Sequence, residues 1–191
     1  MKDQTWFNLV AIVAVGGVLV LGAGLFWAGG TAPAPAGARV AGDPTIDRAL
    51  SIAYNATTQQ YDYSSTSLVV PANTYVTVTI TNFDPGTAML AVPWDNHVIG
   101  TVGGSEQVAS GSAPTTVSAL SVADISHTFT MFGAFYNLSV PIPPAVSADQ
   151  PTVVTFTVEF STPGIYDWGC MAYCGTMSPL EKMSGTLDIT G

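Results

Sequence analysis

The sequence predicts an all-β domain, a two-sheet sandwich or small barrel, standing behind a single N-terminal membrane helix. Three observations predict it. Short runs alternate large apolar and small hydroxylic residues with period two. Clusters of Gly, Pro, Asn and Asp separate those runs, and one long apolar segment near the N-terminus has no counterpart elsewhere. The 191 residues give room for one ordinary domain plus an anchor, not for two sizeable cores.

The anchor comes first. Residues 7–28 are apolar apart from Asn8. At 1.5 Å per residue they reach about 33 Å as a helix, enough for a ~30 Å hydrocarbon core. Trp6 and Trp27 stand at its two ends, where amphipathic rings favour the membrane interface. A cleaved signal peptide is the rival reading, because Ala34-Pro35-Ala36 and Val40-Ala41-Gly42 supply small residues downstream. An h-region is shorter than this run, so residues 1–30 are taken as a retained anchor. Lys2 before the helix gives an N-inside orientation, with the rest of the chain on the extracytoplasmic face of the cell membrane. Residues 31–43 are a Pro/Ala/Gly tether without a core of its own, and the folded domain occupies 44–191.

Within that domain, residues 75–81, 152–160 and 185–189 alternate as strands do and are rich in Thr, Val, Ile and Phe. Turns at Asn82-Phe83-Asp84-Pro85-Gly86 and Thr162-Pro163-Gly164 punctuate them. Residues 84–124 differ, with frequent Gly, Ser, Ala and Pro and brief β-like pieces at 89–92, 97–102 and 115–120. This stretch reads as an insertion between two core strands, ordered in part, since structureless loops of that length are uncommon. Beyond the anchor no window carries a 3.6-residue apolar period.

Charge excludes several functions. The net charge is −9 with only 9% charged residues, and after Arg48 the one remaining cation is Lys182. A nucleic-acid partner requires a positive footprint that this chain lacks. Neither GxxxxGK[ST] nor GxGxxG occurs, which disfavours phosphate-cradling chemistry. So sparse a charge suits either an acidic external medium or a polar neutral surface in an ordinary one.

The residues able to do chemistry concentrate near the C-terminus. Cys170 and Cys174 are the two cysteines, His97 and His127 the two histidines, and Met171, Met177 and Met183 cluster beside the thiols. Thiolate, imidazole and thioether are the ligands that copper selects. A closed zinc site would need CxxC or HxxxH spacings, which are missing. A disulfide between Cys170 and Cys174 in an oxidising compartment is the bland alternative and would close little chain. Trp168, two residues before the first thiol, serves either as a plug in the aromatic core or as a path for electrons to the site.

The order Ile125-Ser126-His127-Thr128-Phe129, Thr162-Pro163-Gly164-Ile165-Tyr166, Cys170-x-x-x-Cys174-Gly175 and Met183-Ser184-Gly185-Thr186-Leu187 resembles the cupredoxins. Among them it is similar to the copper A domain of subunit II of heme-copper oxidases in its one-helix form. The resemblance covers 1–30 in layout and roughly 60–82 and 124–190 in motif. It implies a cupredoxin-like Greek-key β-sandwich or barrel, copper as cofactor, and an electron-transfer subunit rather than an enzyme by itself. His127 would match the first histidine ligand, Cys170 and Cys174 the bridging thiolates, Ala172 the carbonyl ligand and Met183 the methionine. The places of the second histidine and of the methionine hold Ser178 and Glu181, and the loop runs two residues longer before Met183. Three arrangements stay open. His97, brought by the 84–124 insertion, supplies the missing imidazole; or the site is mononuclear, as in sulfocyanin and rusticyanin; or the metal is lost and the thiols pair. The implied partners are the oxidase catalytic subunit, a cytochrome, blue copper protein or quinol as donor, and membrane lipid.

Overall fold

A computed structural model describes residues 44–91, 93–133, 136–173 and 183–191. The predicted anchor (1–30), the tether (31–43) and Cys174 lie outside the described residues. Among those described, no helix is long and apolar enough to cross a membrane.

The all-β reading holds. Among the described residues eleven strands form two sheets. β1 (Thr45–Asn55), β2 (Gln60–Tyr63), β4 (Thr74–Asn82), β5 (Glu106–Ser110), β6 (Thr115–Val117) and β9 (Thr152–Phe160) make a six-stranded sheet in the order β2-β1-β4-β9-β5-β6. β3 (Ser67–Pro71), β7 (His127–Phe132), β8 (Asn137–Ile142), β10 (Gly164–Gly169) and β11 (Ser184–Thr190) make a five-stranded sheet in the order β3-β11-β10-β7-β8. β1 runs parallel to β4 and β3 parallel to β11, while the other pairings are antiparallel.

Period-two patterning builds the core between the sheets. Val76, Val78 and Ile80 of β4 and Val154, Phe156 and Val158 of β9 are buried, each a full two residues apart and hence on one face. The intervening threonines take the other face, where Thr77 meets Thr157 at 3.3 Å and Thr79 meets Thr155 at 3.4 Å, hydroxyl to hydroxyl. The opposing sheet contributes Phe129, Met131, Val140, Trp168, Leu187 and Ile189. Trp168 stacks on Phe129 at 4.9 Å and takes the edge of Tyr63 at 4.9 Å, so it is a core plug. This packing demands a glycine on β11. A Cβ at Gly185 would stand 2.7 Å from Trp168 Cζ2 and closer still to the Thr66 carbonyl.

The 84–124 stretch is built from short pieces. Residues 89–99 make isolated bridges and one 3-10 turn (Pro93–Asn96) instead of long strands. β5 and β6 then form a hairpin that extends the larger sheet along β9.

Candidate metal centre

β7 opens with His127, and Cys170 follows the last residue of β10. The two strands are antiparallel neighbours, with Trp168 opposite Met131 and Gly169 opposite Thr130. The start of one and the end of the other therefore reach the same end of the sandwich. This brings His127 Nδ1 to 3.9 Å from Cys170 Sγ, with the two residues 1% and 3% exposed.

Thr128 fixes the pair from the side. Its backbone N–H points at Cys170 Sγ at 3.4 Å, and its hydroxyl accepts the Met171 N–H at 2.7 Å. Tyr63 donates its hydroxyl to the Thr128 carbonyl at 3.0 Å. The sulfur thus faces a peptide N–H in a dry setting, an outer contact of the kind that tunes a metal-bound sulfur.

The far side of the imidazole is equally determined. Its Nε2–H donates to Asp84 Oδ2 at 3.0 Å. Asp84 is itself held: its N–H donates to Asn82 Oδ1 at 3.0 Å, its Oδ1 accepts the Gly86 N–H at 2.8 Å, and its carbonyl accepts the Ala145 N–H at 2.7 Å. Burial by itself would depress the imidazolium. The hydrogen bonds to Asp84 and Cys170, with the charges of both, outweigh that and lift His127 to about 9. A carboxylate on Nε2 directs Nδ1 toward the sulfur, which is how an outer partner sets the ligating nitrogen.

The remaining candidates fall as follows. Met183 is buried and its carbonyl accepts the Cys170 N–H at 2.8 Å, so its backbone adjoins the thiol. The Ala172 carbonyl lies 3.8 Å from Cys170 Sγ. The early insertion does reach this end, since Ala91 donates to the Met171 carbonyl at 2.7 Å, Tyr173 to the Met89 carbonyl at 2.8 Å, and Leu90 bridges to Ala172. His97 is exposed and its backbone bridges to Ala119; among the described residues no hydrogen bond or ring contact joins it to His127 or Cys170. Among the described residues no three His, Cys, Asp or Glu side chains form a metal-sized cluster. The structure brings His127, Cys170 and the Met183 backbone together, and Cys174 lies outside the described residues.

Asp84 and Thr128 were not foreseen as parts of the site. Asp84 carried only a turn signature, because its reach to a residue far along the chain depends on how the sheets pack. Thr128 was legible as a strand residue next to a candidate ligand, and nothing more.

The donor set suits copper. At metal–sulfur and metal–nitrogen bonds of roughly 2.3 and 2.0 Å, one ion spans the 3.9 Å between Sγ and Nδ1. A thiolate and an imidazole are soft and borderline donors of the kind copper prefers, and a buried methionine adjoins them.

No protein-family model and no curated protein matches the chain. Among solved structures it is similar to auracyanin B at 15% identity and a TM-score of 0.35, over 81% of this chain and 94% of that one. It is similar to rusticyanin from Thiobacillus ferrooxidans at 13% identity and a TM-score of 0.38, over 82% and 88%. A chain of a heme-copper terminal oxidase dimer aligns at 16% identity and a TM-score of 0.37, over 99% of both.

Proposed function

We propose that this chain is a cupredoxin that carries single electrons on copper at the outer face of a membrane, as subunit II of a heme-copper terminal oxidase. One observation carries the reading: His127 Nδ1 and Cys170 Sγ, 43 positions apart in the chain, meet at 3.9 Å inside the protein. Bound copper would exchange one electron by moving between Cu(II) and Cu(I). His127 and Cys170 would hold it, with Cys174, Met183, the Ala172 carbonyl and, as second imidazole, His97 completing a binuclear set. The protein's part is to hold these donors still and dry, so that little rearranges as the charge changes. The anchor at 7–28 would sit in lipid and keep the centre at the membrane surface beside the oxidase catalytic subunit at high effective concentration, receiving electrons from a cytochrome, a blue copper protein or a quinol.

A mononuclear blue-copper centre is the second reading. The convergence of His127, Cys170 and the Met183 backbone favours it, because that centre needs no second thiolate.

Copper content, absorption and electron paramagnetic resonance of the full reduced-then-reloaded chain test both. A purple spectrum with two coppers sharing one unpaired electron supports subunit II. One copper with an intense visible charge-transfer band supports the second reading. Failure of the reduced protein to take up copper overturns both, and thiols that titrate only after reduction would mark a Cys170–Cys174 disulfide instead. His127→Ala should bleach either spectrum while the far-ultraviolet circular dichroism keeps its β signature.

A further inference from the structure

Two triplets of the glycan-acceptor form Asn-X-Ser/Thr occur in the chain, Asn55-Ala56-Thr57 and Asn137-Leu138-Ser139. A copper centre uses neither, and the fold sets them in opposite surroundings. Asn137 is the first residue of β8, which pairs along its length with β7. The two residues after it are inside the protein, Leu138 at 2% and Ser139 at 1% exposure. The Ser139 hydroxyl donates to Asp95 Oδ1 at 3.1 Å, and its backbone exchanges hydrogen bonds with Ile99. The hydroxyl that defines this triplet is therefore shut away from any enzyme acting on the folded chain.

Asn55 instead ends β1, and residues 56–59 make the turn to β2. Ala56, Thr57 and Gln59 are exposed, and β2 is the outermost strand of its sheet. Short-range bonds fix the turn. The Gln59 N–H donates to the Asn55 carbonyl at 2.8 Å, with Gln59 in the left-handed region at φ 58°. The Thr57 N–H donates to Asn55 Oδ1 at 2.9 Å, which is an Asx turn. It bends the triplet so that Thr57 is held back against the acceptor amide. Asn55 Nδ2 donates to Asp62 Oδ2 at 2.8 Å. A side-chain amide has a second N–H, so a substituent can replace one proton and leave the other on Asp62.

We propose that Asn55 is the N-glycosylation site of this chain, taking an oligosaccharide from a lipid-linked phosphate donor. The proposal rests on the domain's place at the outer face of the membrane and not on copper. In the transfer Asn55 Nδ2 bonds to the anomeric carbon of the sugar as that carbon's bond to the phosphate oxygen breaks. The electron pair leaves on the phosphate, one Nδ2 proton passes to a base of the transferase, and nothing is oxidised or reduced. A glycan here adds a bulky hydrated group to a chain with only 9% charged residues. It also shields the open edge of β2 from pairing with a strand of another chain.

The folded full chain in detergent, incubated with a single-subunit oligosaccharyltransferase and a lipid-linked oligosaccharide, tests the site by peptide mass spectrometry. The glycan mass should appear on the peptide holding Asn55, with Asn137 bare. Asn55→Gln and Thr57→Ala should each abolish it, and Thr57→Ser, which keeps a hydroxyl, should retain it. Transfer to Asn137 instead, or none to the wild type while a control acceptor peptide is modified, would overturn the proposal. Chain purified from its own membranes should carry a glycan at Asn55, and a bare Asn55 there overturns it as well. Protease added to sealed right-side-out vesicles then separates two failures. A cleaved domain with bare Asn55 refutes the glycan alone, whereas a protected domain refutes the outer-face reading with it.

Discussion

His127 commits its two nitrogens to different tasks, and that division rests on one carboxylate. With Nε2–H bound to Asp84 at 3.0 Å, only Nδ1 is left to face Cys170 Sγ. Asp84→Ala removes the constraint, and the ring is then free to turn or to protonate the wrong nitrogen. Outer partners of this kind are typically worth about 10–100-fold in metal affinity, so the variant should bind copper about that much more weakly in competition with a chelator of known strength. Asp84→Asn, which retains an acceptor oxygen, should lose less. An unchanged affinity in Asp84→Ala would mean that Thr128 and the packing around the ring suffice. Sequence could name His127 and Cys170 because imidazole and thiol are rare in this chain and chemically distinctive. Asp84 was hidden because a carboxylate after Asn82 reads first as a turn former, and its partner is chosen only once β4, β7 and the insertion have met.

Strands with strong alternation were legible element by element. β4, β9 and β11 were expected over nearly the residues they occupy, since Val, Ile, Phe and Thr in period two leave few alternatives. β5 was missed. Glu106-Gln107-Val108-Ala109-Ser110 has one β-branched residue and no clear apolar face, and it becomes a strand because the open edge of β9 accepts it. Tertiary pairing outweighs local propensity there. β11 shows the reverse case, a local residue dictated by a distant ring. Gly185 leaves no room for a methyl beside Trp168 Cζ2 and the Thr66 carbonyl, and the carbonyl is backbone, which yields poorly. Gly185→Ala should therefore destabilise the domain by at least about 1–3 kcal/mol, read as a lowered denaturant midpoint. The near-ultraviolet dichroism of Trp168 should change with it. A midpoint within error of the wild type would show that β3 and β11 separate more easily than their register implies.

For the molecule as a whole, buried acids set a pH dependence that the sequence hinted at through its charge alone. The chain carries −9 with few countercharges, a balance that does not say which carboxylates fold away from water. Two of them do. Glu106 is raised to about 8 from 4.5 by burial. Asp95 is raised by burial against the opposing Ser139 hydrogen bond, with the charge of Cys170 adding to the rise. The sign follows from proton counting. Between its unfolded and folded values Glu106 binds a proton in the native state and not in the unfolded one, so stability falls as pH rises through that window. Stability is fullest below about 4.5 and has lost this contribution above about 8. The slope is about 1.4 kcal/mol per pH unit for one such group, and Asp95 adds to it. Urea midpoints across a pH series, without divalent cations, should fall from acid toward alkali. Glu106→Gln should remove the part of that decline that Glu106 contributes and leave the part that His127, lifted to about 9, contributes in the same direction, and its unfolding should level with or exceed the wild type at the alkaline end, because an amide has no charge to bury. A wild-type midpoint that climbs with pH would mean the Glu106 carboxylate finds a partner or solvent that offsets its burial.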